Sequence, residues 1–113
     1  MSCVFCRIVA REIPAAFLYE DEYVCAFRDV NPVAPVHILI VPKVHVVRVD
    51  APEVCELGLP QHIFRAIATL AKAEGLQEGG FRVVSNAGRG GGQTVDHLHF
   101  HLIAGRSLGW PPG

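Results

Sequence analysis

Residues 96–105 read Asp-His-Leu-His-Phe-His-Leu-Ile-Ala-Gly, with His97, His99 and His101 at every second position. In an extended chain successive side chains point to opposite faces, so the spacing predicts a strand with the three imidazoles on one face. Leu98, Phe100 and Leu102 then line the other face, against a hydrophobic core. The plainest reading is an alternating surface strand, where polar residues are ordinary. Three imidazoles in alternation, directly after a glycine-rich loop, exceed what that reading needs. Neutral imidazoles can share a metal ion. Alternatively, an imidazole can attack phosphorus or a carbonyl carbon while its neighbours fix its tautomer and donate protons.

Outward from this strand, the pattern predicts a single domain spanning residues 1–113. The 113 residues are half hydrophobic, enough for a packed core. Val36–Lys43, "VHILIVPK", is an almost unbroken apolar run, as in a central strand covered on both faces, and it carries His37. "AFLYEDEYVCAFRDV" reads as a hairpin with its turn at Glu20-Asp21-Glu22. "FCRIVARE" predicts a short helix ended by "IPAA". From Leu59 to Gly75 the apolar residues recur at helical spacing, which predicts one long helix. His62, beside apolar Ile63, reads as a solvated helix residue, and Lys43 as solvent-facing. Phe81–Ser85 is a further strand, and residues 105–113 form a tail without regular structure. The expected fold is therefore α+β: an antiparallel sheet of about five strands, one long helix and a short N-terminal helix.

Several partner classes are disfavoured. The net charge is −1 and there is no basic stripe for nucleic acid. No apolar run approaches the roughly 20 residues that span a bilayer. "MSCVFCRIVA" lacks the basic and apolar regions of a signal peptide, so the expected location is cytoplasmic. Of the four cysteines, Cys25 and Cys55 read as packing or surface thiols. Cys3-Val-Phe-Cys6 has zinc-like spacing if another ligand pair is available, and otherwise reads as two buried thiols.

The loop "NAGRGGGQTVDH" offers small residues whose backbone N–H groups can approach an anion closely, with Asn86, Gln93 and Thr94 as neutral donors. Phosphate beside imidazole suggests phosphoryl or nucleotidyl transfer. No dense carboxylate cluster of the kind a two-magnesium site uses is present, and no catalytic metal is expected.

"HLHFHLI" matches the pattern His-φ-His-φ-His-φ-φ, with φ apolar. With "FCRIVAREIPA", "AFRDVNPVAPVHILIVPKVH", "GGQTVDHLHFHLIAGR" and the ending "WPPG", the chain resembles the histidine triad (HIT) superfamily over nearly its whole length. The resemblance is strongest to its Hint branch of purine nucleoside phosphoramidases. It implies hydrolysis of purine nucleoside 5′-monophosphoramidates through a nucleotidyl-histidine, with dinucleoside polyphosphate hydrolysis or a nucleotide-binding scaffold as alternatives. His99 would be the nucleophile, supported by His101 and His37. Thr94 would assist the leaving amine. Asn86, Gly92, Gln93 and Val95 would border the phosphate, and Asp29 would accept hydrogen bonds from the ribose. Phe5, Ile8, Phe27 and Val30 would form the purine slot. Relatives carrying the cysteine pair hold a structural zinc, which here implies Cys3, Cys6, His45 and His97. The resemblance further implies a homodimer in which Trp110 reaches the partner subunit's pocket.

Overall fold

The computed structural model describes residues 3–113. The apolar run after "NPVAP" is the centre of the molecule. Five antiparallel strands, β1 (Phe17–Glu20), β2 (Val24–Arg28), β3 (Val36–Pro42), β4 (Arg82–Val84) and β5 (Phe100–Ala104), lie in the order β1-β2-β3-β5-β4. The third position explains the composition of β3, because both of its faces are covered. Ile38 and Ile40 point to one side, with Val24, Ala26, Leu98 and Leu102, against helix α3 (Leu59–Ala73). Leu39 and Val41 point to the other side, with Cys25 and Phe27, against helix α1 (Val4–Val9). Fully burying each such aliphatic side chain contributes about 1.5–3 kcal/mol, so α3, with Leu59, Ile63, Ile67 and Leu70 buried, is held by its face and not by its caps.

Several local expectations shift. The histidine strand starts late: only Phe100–Ala104 is ladder-paired, and the chain is bent at His97 and irregular through residue 99 before it enters the strand. The alternation nevertheless persists through that segment. Leu98 and Leu102 enter the α3-side core, while His97 and His99 lie against Phe5 of α1 on the opposite side. The hairpin turn lies one residue later than expected, because the Asp21 carboxylate accepts from the backbone N–H groups of Tyr23 (2.7 Å) and Val24 (2.8 Å). A short helix, α2 (Pro52–Glu56), begins with Pro52 in its first turn, a start signal that the sequence reading overlooked. His62 is half-buried and stacked on Tyr23 at 3.8 Å, so it is not the solvated residue expected from its place on the helix. Lys43 is also not simply solvent-facing, since its ammonium pairs with Glu20 at 2.8 Å. Cys25 is buried and Cys55 exposed, as a packing thiol and a surface thiol. No helix among the described residues is long and apolar enough to cross a membrane.

The chain leaves β5 through Gly105, whose φ of +96° is in the left-handed region, and an added Cβ would lie 2.8 Å from Pro35. After that turn the tail runs beside the edge strand β4, whose Arg82 guanidinium donates to the Gly109 carbonyl. Arg106 then ties the tail to the carbonyl of Val33 at 3.0 Å.

Candidate active site and metal cluster

The α1 side of the sheet carries the chemistry. Its apolar floor, Phe27 and Leu39, with Phe5 and Ile8 from α1, walls a cavity of about 590 Å³. The far wall is Ile13–Ala16 and Leu18, and the cavity ends at Thr94, Val95, His99 and His101. An apolar slot with a few polar groups converging at one end is the usual form of a small-molecule site.

Each imidazole in the row has one nitrogen committed to a partner. The Nδ1 of His99 is 2.7 Å from the carbonyl oxygen of His97. A carbonyl can only accept, so Nδ1 carries the proton and Nε2 keeps a free lone pair. His99 is 5% exposed, and its ring packs edge-on to Phe5 at 5.1 Å. His37, on β3, accepts from the Val33 backbone N–H at its Nδ1 (3.2 Å). Its Nε2 therefore bears the proton, which it presents to Nδ1 of His101 at 2.8 Å. The Asp29 carboxylate stands 3.5 Å from the same Nε2. By the same logic His101 carries its proton on Nε2. Burial, reinforced by the neighbouring His99 and His37 imidazoles, depresses His101 to about 4, so it stays a neutral donor.

The third triad member serves a different group. The Nε2 of His97 donates to the carbonyl of Pro42 at 2.8 Å, leaving Nδ1 free. That nitrogen lies 3.3 Å from the Cys3 sulfur, 3.6 Å from the Cys6 sulfur and 3.2 Å from His45 Nδ1. The Cys6 sulfur is 3.2 Å from His45 Nδ1. All four ligand atoms lie within 4.8 Å of one another. A tetrahedral zinc with bonds of about 2.0 Å to nitrogen and about 2.3 Å to sulfur has edges of roughly 3.3 Å and roughly 3.5 Å, so the donor set fits such an ion. Burial, and then the adjoining Cys3 thiol, raises the Cys6 thiol above its ordinary value. A bound cation would reverse that preference. Burial similarly holds His97 below the usual imidazole range.

Not every expected site residue meets at the cavity. Phe5, Ile8, Phe27, Asp29, Val30, Thr94, Val95, His99 and His101 line it, with Val30 89% exposed at its mouth, and His37 stands behind His101. Gln93 departs from its expected role. Its carbonyl accepts from Gly88 N–H (2.9 Å) and its amide donates to Val47 (2.7 Å) and Val95 (3.0 Å). With both ends committed, it fastens the glycine loop and does not face the cavity. Asn86 is half-buried away from the lining, and Gly92 closes the short turn Arg89–Gly91 at φ +85°. Trp110 is 83% exposed and outside its own chain's cavity. The sequence reading missed the Ile13–Ala16 wall. The "IPAA" segment was the available signal, but it does not end α1 as expected: the helix stops at Val9, capped at Ala10, and Arg11 takes a left-handed φ of +62°.

An antiparallel sheet with helices on both faces and an apolar cavity ended by tautomer-fixed imidazoles defines an α+β domain built around a histidine centre. The HIT domain family model matches residues 10–108. An uncharacterised HIT-like protein of Synechococcus elongatus is 49% identical over 97% of this chain and 96% of its own length. A 14 kDa zinc-binding protein of Zea mays is 45% identical (97% and 87% covered). The adenylylsulfatase HINT1 of Arabidopsis thaliana is 43% identical (97% and 76% covered). A HIT family hydrolase from Legionella pneumophila superposes with a TM-score of 0.92 at 46% identity, covering 99% of this chain and all of the other. The chain belongs to the HIT family.

Proposed function

We propose that this chain is a nucleotidyl hydrolase acting on purine nucleoside 5′-monophosphoramidates. The observation that carries the reading is the His99 ring: Nδ1 tied to a carbonyl at 2.7 Å, the ring at the end of an apolar cavity, and Nε2 left as the free nitrogen. In this reading Nε2 attacks the α-phosphorus and the P–N bond breaks. The amine leaves with a proton supplied from the Thr94 side of the cavity, and water then attacks the nucleotidyl-histidine, releasing the nucleotide and regenerating His99. The neutral His101 donates from Nε2 to a phosphoryl oxygen, backed by His37. Asp29 at the cavity edge suits ribose hydroxyls, and Phe5, Ile8, Phe27 and Val30 suit a purine. Asn86 and Gly92 would reach phosphate only if the glycine loop closed over it.

The Cys3, Cys6, His45 and His97 cluster is a structural zinc site in this reading, supported by its tetrahedral spacing and by plant relatives known as 14 kDa zinc-binding proteins. The reading extends to a single-domain, cytoplasmic homodimer. Phe64 (61% exposed) on α3, together with exposed Phe81 and Val83, forms an apolar strip, and β4 is an edge strand. A second copy would cover that strip and give the exposed Trp110 a pocket to enter.

The test is a substrate panel at fixed base: an AMP-amine, adenylyl sulfate and a dinucleoside polyphosphate, with trapping of nucleotidylated His99. The adenylylsulfatase relative makes sulfate the second leaving group to compare. Preferred turnover of the amine supports the proposal. Faster turnover of sulfate or polyphosphate replaces it, and absence of turnover on all three points to a nucleotide-binding scaffold.

A further inference from the structure

The metal cluster and the nucleotide cavity share a wall one side chain thick. Cys3 caps α1, its sulfur accepting from the Cys6 backbone N–H at 3.3 Å. Between the two cysteines lies Phe5. Its ring is edge-on to His97, a cluster residue, at 5.8 Å, and to His99, the nucleophile, at 5.1 Å. It is also edge-on to Phe27, on the cavity floor, at 5.8 Å. The backbone continues the connection, because the carbonyl that orients His99 belongs to His97.

Helix α1 has little else to fix it. It is a single helix of six residues, too short to persist alone. Its backbone hydrogen bonds, among the described residues, close on its own turns and on Glu12 and Ile13. It is held to the sheet by the packing of Phe5 and Ile8. A tetrahedral ion would tie Cys3 and Cys6 to His45, beyond β3, and to His97, ahead of β5. Three separate segments would then be fixed around the wall that a purine must touch.

Resting on the nucleotide reading above, we propose that zinc at Cys3, Cys6, His45 and His97 acts as a positioning device for the purine slot, with Phe5 as the coupling side chain, so that zinc retention and nucleoside binding favour one another. Reciprocity is required thermodynamically: if the ion tightens purine binding, a bound purine must tighten the ion's hold by the same factor. The part of the ligand that matters is the base, which meets α1, and not the phosphate, which meets His99 and His101.

The experiment uses the full chain loaded with zinc, stripped by a chelator, and reloaded. Adenosine, guanosine and AMP affinities are measured by calorimetry on each form. Zinc affinity of the loaded protein is measured by equilibrium competition with a colorimetric chelator, alone, with nucleoside at saturation, and with ribose 5-phosphate. The expected result is a loss of nucleoside affinity of about tenfold on stripping, restored on reloading, and a gain in zinc affinity with nucleoside by the same factor. Ribose 5-phosphate should not raise zinc affinity. Phe5→Leu should keep its zinc while losing the effect of saturating nucleoside on zinc affinity. Nucleoside affinities within about twofold in loaded and stripped protein would overturn the proposal, as would zinc affinity indifferent to nucleoside or equally raised by ribose 5-phosphate. If the stripped protein unfolds, the competition measurement on loaded protein decides. Loaded protein that binds none of the three ligands refutes the nucleotide reading and the coupling with it, whereas equal binding by both forms refutes the coupling alone.

Discussion

Acidification should unfold this protein by a route that begins at His101. In the unfolded chain the imidazole titrates near 6.5, and in the fold burial and then the flanking His99 and His37 depress it to about 4. At ~1.36 kcal/mol per pH unit, a difference of roughly 2.5 units corresponds to ~3 kcal/mol. The sign follows from proton counting. Between pH 6.5 and 4 the unfolded chain takes up a proton that the folded ring refuses. The neutral ring's contribution to stability is therefore complete above 6.5, declines as pH falls through the window, and is exhausted near 4. For a domain whose total stability is ~5–15 kcal/mol, that loss is large.

The assay is urea denaturation at pH 7.0, 5.5 and 4.5, in excess zinc, on wild type and His101→Asn. Asparagine keeps an acceptor for the His37 Nε2–H, at 2.8 Å in the wild type, but cannot take up a proton. Wild type should lose roughly 2 kcal/mol more than the variant between pH 7.0 and 4.5. Metal release affects both proteins alike and cancels in the difference. Parallel losses in the two proteins would show that His101 titrates normally and that the neutral-donor role assigned to it is wrong.

Other outcomes follow from single contacts. His99→Ala should abolish nearly all turnover of an AMP-amine while AMP binding remains measurable; activity within about tenfold of wild type, only ~1.4 kcal/mol of barrier, would remove His99 from the nucleophile's role. Metal analysis should find about one zinc per chain, and chelation should lower the melting temperature; metal-free protein of unchanged stability would leave the cluster without a structural role. Gly105→Ala should cost ~1–3 kcal/mol, because alanine at φ +96° places Cβ 2.8 Å from Pro35, whereas Gly79→Ala, with open space around it, should cost little by the same denaturation assay. Light scattering should report a dimer at micromolar concentration, and deletion from Leu108 onward should change leaving-group preference; a monomer, or an unchanged substrate profile, would show that the exposed Trp110 has no such role.

The central strand, the long helix and the two-faced histidine segment were legible because each depends on a period. β3 is apolar apart from His37 because both of its faces are covered, and α3 buries residues at helical spacing. What the sequence concealed depends on contacts without a period. Residues 97–99 alternate sides like a strand but have no ladder partner, and the chain bends at His97, which the sequence period does not show. Gln93 looked like a free donor because its type can donate. Its commitment to Gly88, Val47 and Val95 arises from a fold that brings residue 47 beside residue 93. The half-buried stack of His62 on Tyr23 is likewise tertiary, joining a helix to a hairpin turn far from it in sequence.

The division of labour among the three triad histidines is set by backbone carbonyls and one neighbouring imidazole, not by the side chains themselves, which are chemically identical. Pro42 takes the Nε2 proton of His97, so the free nitrogen of that ring is Nδ1, on the side of the cysteines. The carbonyl of His97 takes the Nδ1 proton of His99, so the free nitrogen there is Nε2. His37 donates to Nδ1 of His101, so that ring is left with a proton and no free lone pair. Alternation in sequence places three equivalent rings on one face, and three different partners make one a candidate metal ligand, one a candidate nucleophile and one a donor. A substitution that moved the Pro42 or His97 carbonyl would leave every histidine in place and still exchange these roles. The motif alone is therefore insufficient, and the strand end that supplies Pro42 is as much a part of the site as the histidines it orients.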